Sequence, residues 1–155
     1  RGIRSPEEAE VAAGLAAEAI ACGTPPQEIA IVAPYRAQGR LIRQRLQAMI
    51  GSGGPDNLEG IVVDTVERIQ GQEREMVIVS LTTSDPGHAS QRADFYFQPN
   101  RLNVSITRPK TKRIVIGSPL LFRSQPQEEK HRGWVEYFRA LYRESTIVRL
   151  KPASK

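Results

Sequence analysis

Apolar residues fall in short continuous runs separated by amphipathic stretches, an alternation that predicts strands interleaved with helices. The runs Glu28 to Ala33, Ile61 to Val63, Met76 to Ser80 and Ile114 to Ile116 are too short for helices. They lack the strict alternation of half-exposed strands, so each is expected to be a buried strand, with Ile114 to Ile116 an interior one closed by Gly117. Ser5-Pro6-Glu7-Glu8 predicts a helix start, with Ser5 as N-cap, Pro6 at the first helical position and Glu8 closing a capping box. The alanine-rich run that follows places Val11, Leu15, Ala19 and Cys22 on one face and stops at Gly23. A second helix is expected from about Arg36 to Ile50, with Leu41, Ile42, Leu46 and Met49 inward and Arg36, Arg40 and Arg43 outward.

Towards the C-terminus, Pro99 suits the start of a short helix bearing Leu102, Val104 and Ile106, which Pro109 ends. Pro119 to Phe122 predicts a brief helix and Ser124 to Lys130 an exposed loop. Trp134, Phe138, Leu141 and Tyr142 mark the inner face of a last helix running to about Glu144, and Ile147 with Val148 a closing edge strand. Ser84 to Gln98 is expected to be a long loop whose Phe95, Tyr96 and Phe97 either pack back onto the domain or stack on bases. Connections too long for hairpins make the fold class α/β, a three-layer αβα domain with a mostly parallel sheet. One domain over residues 1–150 is expected, with 151–155 a tail or linker. Ligands then belong at the carboxyl ends of the strands.

Composition adds limits rather than a fold. The 155 residues are 39% hydrophobic and 25% charged, ordinary for a globular domain. A formal charge of +5, from 22 Lys+Arg against 17 Asp+Glu, favours phosphate-bearing partners. The lone Cys22 excludes an internal disulfide, and Cys22 with His88 and His131 makes no zinc-ligand spacing. No apolar run approaches the roughly 20 residues that cross a bilayer, so no membrane contact is expected and a cytoplasmic location is the default. Neither G-x-x-x-x-G-K-[ST] nor G-x-G-x-x-G is present, so the chain has no phosphate cradle of its own. Ser80 and Ser105 lack a nucleophile-elbow context and are expected to be structural hydroxyls. The chain opens at Arg1 without methionine, and a domain cut from a longer protein is expected.

Two polar features are candidates for ligand chemistry. Thr65, Gln70, Gly71 and Glu73 form a polar stretch between two apolar strands, a placement that usually serves a ligand. Arg108, beside Lys110, Lys112 and Arg113, ends the short helix, where it either answers the helix dipole or reaches a phosphate.

Three blocks in order, Ile29 to Gln38 (IAIVAPYRAQ), Val63 to Ser80 (VDTVERIQGQEREMVIVS) and Asn100 to Gly117 (NRLNVSITRPKTKRIVIG), together resemble the second, C-terminal RecA-like domain of superfamily 1 helicases. The branch is the one that includes the nonsense-mediated-decay RNA helicase. The resemblance covers about residues 5–122 and implies a P-loop NTPase-type fold without its own P-loop. It also implies half of an ATPase, ATP and Mg2+ being held mainly by a first RecA-like domain of the same protein. By this resemblance Arg108 is the motif VI arginine that touches the γ-phosphate, and Glu73 the motif V glutamate near the ribose and phosphates. Gln70 and Gly71 lie at the nucleotide, Gly71 letting the backbone approach. Thr65 meets a nucleic-acid phosphate, and Tyr35, Arg36 and Gln38, with Arg40 a weaker member, face single-stranded DNA or RNA.

Relatives often carry Thr-Arg-Ala-Arg where Thr107-Arg108-Pro109-Lys110 stands here, so the second basic position keeps its charge but not its geometry. Their other γ-phosphate arginine, just upstream of the first helix, has no counterpart. The expected role is the C-terminal half of an ATP-dependent helicase, inactive as an isolated fragment. The alternative is a non-catalytic nucleic-acid-binding module on the same fold.

Overall fold

The computed structural model describes residues 5–33, 35–51, 60–64, 74–82, 86–91 and 112–147. Four helices and four strands are described: α1 (Pro6–Ala21), β1 (Ile29–Val32), α2 (Arg36–Ile50), β2 (Val62–Asp64), β3 (Met76–Ser80), α3 (Pro86–Gln91), β4 (Lys112–Ile116) and α4 (Glu129–Glu144). Short 3-10 turns at Pro26–Glu28 and Pro119–Arg123 lead into β1 and out of β4.

The described strands form one parallel sheet in the order β2-β1-β3-β4. Val32 of β1 lies beside Asp64 and Val79, so β1, β2 and β3 end along one edge. Alternate side chains of the strands enter two separate cores. Ile29, Ile31 and Ala33 with Met76 and Ile78 pack under α1 and α2 against Ala12, Ala16, Ile42 and Leu46. Ala30, Val32, Val77 and Val79 face the other way, against Leu121, Val135 and Phe138. A sheet buried on both faces favours apolar residues along each strand, which is why β1 and residues Met76 to Val79 of β3 are continuous hydrophobic runs. The expected three-layer αβα arrangement is therefore present.

Helix ends follow from local chemistry. Ser5 caps α1, its Oγ accepting from the Glu8 amide at 3.3 Å, with Pro6 following. The other end is a Schellman closure, in which Thr24 N donates to Ala19 O at 2.9 Å and Gly23 N to Ile20 O at 3.0 Å. Gly23 supplies the positive φ of 104° that this closure requires.

Several expectations are corrected. The fully buried stripe of α1 is Ala9, Ala12, Ala13 and Ala16, whose small side chains let the backbone approach α2 and the sheet; of the face expected, Leu15 and Ala19 pack partly against that core, Val11 is half-buried and Cys22 is exposed. Met49 is 41% exposed at the far end of α2. The segment from Ser84 to Gln98 is not all loop, since it contains α3. Buried Ser124 and Pro126 lie in the stretch expected to be exposed, and Val135 is buried on α4 with Phe138, Trp134 packing partly against them, while the side chain of Leu141 lies outside what is described. Among the described strands β4 ends the sheet order rather than lying inside it, and Val115 is 40% exposed. Ile147 is 42% exposed, and Val148, its partner in the expected closing strand, lies outside the described residues. The short helix expected from Pro99 to Arg108, the aromatic tip at 95–97 and the tail at 151–155 lie outside the described residues.

Candidate nucleic-acid interface

α2 begins one residue beyond Tyr35, where β1 delivers the chain to the carboxyl edge of the sheet. Tyr35 is extended (φ −120°, ψ 137°), makes no side-chain cap, and its half-buried ring packs on the core shared with α4. No acidic residue sits in the first turn of α2. Arg36 opens the helix instead, and Arg40, one turn on, is exposed with it. Cations at a helix N-terminus oppose the macrodipole and the free N–H groups there, an arrangement that an anion in front of the helix relieves. Arg43, the third member of the expected basic face, is half-buried and reaches Ile61 O at 3.4 Å. Arg45 stands 3.7 Å from Glu10 of α1 across an exposed ion pair.

Gln38 is placed differently from Arg36 and Arg40. It has no exposed surface, so it offers no atom to a strand as the domain stands. Its Oε1 accepts from Ser5 N at 2.7 Å, and its Nε2 donates to Ser5 O at 3.0 Å and to Ser80 Oγ at 3.3 Å. Ser80 Oγ in turn donates to Glu8 Oε1 at 2.8 Å, and the same carboxylate oxygen accepts from Thr82 N at 2.9 Å. Thr82 is the one non-glycine of positive φ among the described residues, at 75°, and its Oγ1 donates to Ser80 O at 3.3 Å. Burial pushes the Glu8 carboxyl above the ordinary 4.5, and the Thr82 amide and Ser80 hydroxyl pull it part of the way back.

This network ties the first turns of α1 and α2 to the end of β3. The sequence disclosed only its parts. Ser80 is the structural hydroxyl expected, but Glu8 does not complete the capping box: its carboxylate turns to Ser80 and Thr82, and Gln38 takes the Ser5 amide that a capping box would use. A signal was available in Ser80, a polar residue closing an otherwise apolar strand.

The remaining candidates, Thr65, Gln70, Gly71, Glu73 and Arg108, lie outside the described residues. Their flanks are described. Thr65 directly follows Asp64, which ends β2 beside Val32 at the edge where α2 starts. Arg74, directly after Glu73, is held at the opposite edge of the sheet, where its guanidinium reaches Gln27 O, and Glu75 N donates to Glu28 Oε1 at 3.2 Å. Asp64 thus ends β2 at the carboxyl edge, and Arg74 precedes β3 at the amino edge. Among the described residues no group of His, Cys, Asp and Glu could hold a metal ion, and no helix is long and apolar enough to cross a membrane.

In a parallel αβα sheet ligands bind outside the carboxyl ends of the strands, the edge at which α2 begins. The model of the AAA domain family matches residues 2–120, and the chain belongs to that family. It is 31% identical over 129 residues to the human DNA replication ATP-dependent helicase/nuclease DNA2, a match spanning 83% of this chain and 11% of that protein. It is 34% identical over 112 residues to the ATP-dependent helicase upf1 of Schizosaccharomyces pombe, 72% of this chain and 11% of that protein. With the DNA polymerase alpha-associated DNA helicase A of the same yeast it shares 39% identity over 97 residues, 61% of this chain and 13% of that one. The chain thus spans about a tenth of the length of the curated relatives it matches. Together these matches make it a superfamily 1 helicase C-terminal domain of RecA-like fold, with the nonsense-mediated-decay type among its relatives.

Proposed function

We propose that this chain acts as the second RecA-like half of an ATP-dependent helicase that moves along single-stranded DNA or RNA. The observation that carries the reading is the start of α2. Two exposed arginines, Arg36 and Arg40, stand at a helix N-terminus without an acidic residue in its first turn, at the carboxyl edge of the sheet, in a helicase-family domain. Guanidinium groups and free amides there suit the phosphates of a strand, with Tyr35 beside them and Thr65, the residue after Asp64 in sequence, assigned to the same role. Gln38 serves the same surface from beneath.

Arg108, Glu73, Gly71 and Gln70 are assigned to the nucleotide. ATP and Mg2+ are held mainly by a first RecA-like domain, the partner of this one. Arg108 then supplies positive charge to the γ-phosphate from across the cleft between domains, and Glu73 acts close to the ribose and phosphates. An arginine delivered in this way links hydrolysis to closure of the cleft, because it acts only when the halves meet.

Titration of a labelled single strand with the chain tests the reading. Sequence-tolerant binding that weakens when Arg36→Ala and Arg40→Ala are introduced supports it. Binding that ignores both substitutions overturns the assigned surface.

A further inference from the structure

Arg36 and Arg40 are one turn apart, and Gln38 lies between them in sequence. At about 100° per residue, Gln38 points away from the side that carries the two arginines. Burial agrees, since Gln38 is fully enclosed while Arg36 and Arg40 are exposed. Whatever fixes Gln38 therefore fixes the rotation of the first turn of α2 about its own axis, and with it the direction in which the arginines project.

Three hydrogen bonds fix it. Two join the Gln38 amide to both backbone atoms of Ser5, at 2.7 and 3.0 Å, and the third runs at 3.3 Å to Ser80 Oγ. Ser80 is held by Glu8, whose Oε1 also takes the amide of Thr82. Thr82 sits in a left-handed conformation that costs a β-branched residue free energy, and bonds at its amide and its hydroxyl oppose its relaxation. The first turn of α2 is thus referenced to two places at once, the backbone where the chain enters α1 and the end of β3.

We propose that Gln38 is a positioning residue for single-strand binding: its paired bonds to Ser5, with the Ser80–Glu8 relay, set the presentation of Arg36 and Arg40. The inference rests on the strand-binding reading of α2 given above. It adds that a displacement of the backbone at Ser5 reaches the arginines through the Gln38 amide, so the entry of the chain into α1 governs strand affinity without touching the strand.

The experiment is a double-mutant cycle on the 155-residue chain, read by fluorescence anisotropy of a labelled oligothymidylate. Gln38→Leu keeps the bulk and removes all three bonds. It is expected to weaken binding about tenfold in the wild-type background and less than about twofold when Arg36→Ala and Arg40→Ala are already present. A loss of the same size in both backgrounds, or no loss from a folded Gln38→Leu chain, overturns the inference. Ser80→Ala, which leaves the Ser5 pair intact, is expected to show a loss of about twofold to threefold with the same dependence on the arginines. A second readout needs no variant: in the wild-type chain, strand binding is expected to slow hydrogen exchange at the Ser5 and Thr82 amides, and unchanged exchange at both overturns the coupling.

The two readings fail differently. Strand binding that Arg36→Ala and Arg40→Ala weaken but Gln38→Leu does not leaves the function and removes only the positioning role. A wild-type chain that does not bind the strand overturns both.

Discussion

At the residue scale, Glu8 shows how much one carboxylate can decide. Both of its short bonds go to the same oxygen, Oε1, from Ser80 Oγ and Thr82 N. Glu8→Gln therefore keeps the acceptor and removes the buried charge, whereas Glu8→Ala leaves a hydroxyl and a strained amide without their partner. Glu8→Ala is expected to lower stability by about 1–3 kcal/mol in urea denaturation. The effect of Glu8→Gln depends on pH. Because the folded carboxyl titrates above its ordinary 4.5, the folded state binds the proton more tightly than the unfolded chain does. That contribution is fully present below about 4.5 and is lost as pH rises through the raised folded value, Glu7 adding to the repulsion. Relative to wild type, Glu8→Gln should thus gain stability as pH rises across this window. Urea midpoints of the two proteins that run parallel throughout the window would refute a desolvated Glu8 charge.

At the element scale, legibility tracks how strongly a pattern constrains its own position. Met76–Ser80 and Arg36–Ile50 have the bounds expected from the sequence, because a five-residue apolar run and a fifteen-residue amphipathic one leave little latitude. The burial of α1 was harder to foresee. With alanine at most positions the hydrophobic contrast around the helix is weak, and the choice of face falls to close approach, which favours the smallest side chains over Val11 and Leu15. The place of β4 in the sheet was likewise illegible, since an apolar run does not state how many neighbours its strand has. The network around Gln38 joins positions 33 and 42 residues apart, and no local pattern reports such pairs. Close approach makes its own prediction. Ala12 and Ala13 have no exposed surface, so Ala13→Leu must displace α2 or the sheet and should cost about 1–3 kcal/mol, or more if the helix cannot shift. Exposed Ala21→Leu at the end of the same helix should be within about 0.5 kcal/mol of wild type in the same thermal or urea melts, and equal losses at both sites would contradict the packing described.

At the scale of the whole molecule, the proposed division of labour between strand and nucleotide sets two measurable quantities. Two phosphate contacts, from Arg36 and Arg40, give a slope of log affinity against log salt of about −1.4, hence a loss of about sevenfold between 50 and 200 mM. Each arginine removed should flatten that slope by about 0.7, and affinity insensitive to salt would point to base stacking instead. ATP turnover divides the other way. The 155-residue chain alone, with no phosphate-cradling loop in its sequence, is expected to hydrolyse ATP no faster than buffer. In a protein that joins it to a first RecA-like domain, Arg108→Ala should lower turnover by about 10³ to 10⁵ and leave nucleotide-free strand binding within about twofold, since a finger acts on charge developing at the γ-phosphate. Arg36→Ala with Arg40→Ala should do the reverse, weakening the strand first and turnover only through lost stimulation. If Arg108 is instead a helix-end cation, Arg108→Ala costs less than about 1 kcal/mol of stability and turnover is unchanged. A folded Arg108→Ala protein with wild-type turnover at saturating strand and ATP would therefore remove the assignment on which the proposed mechanism depends most.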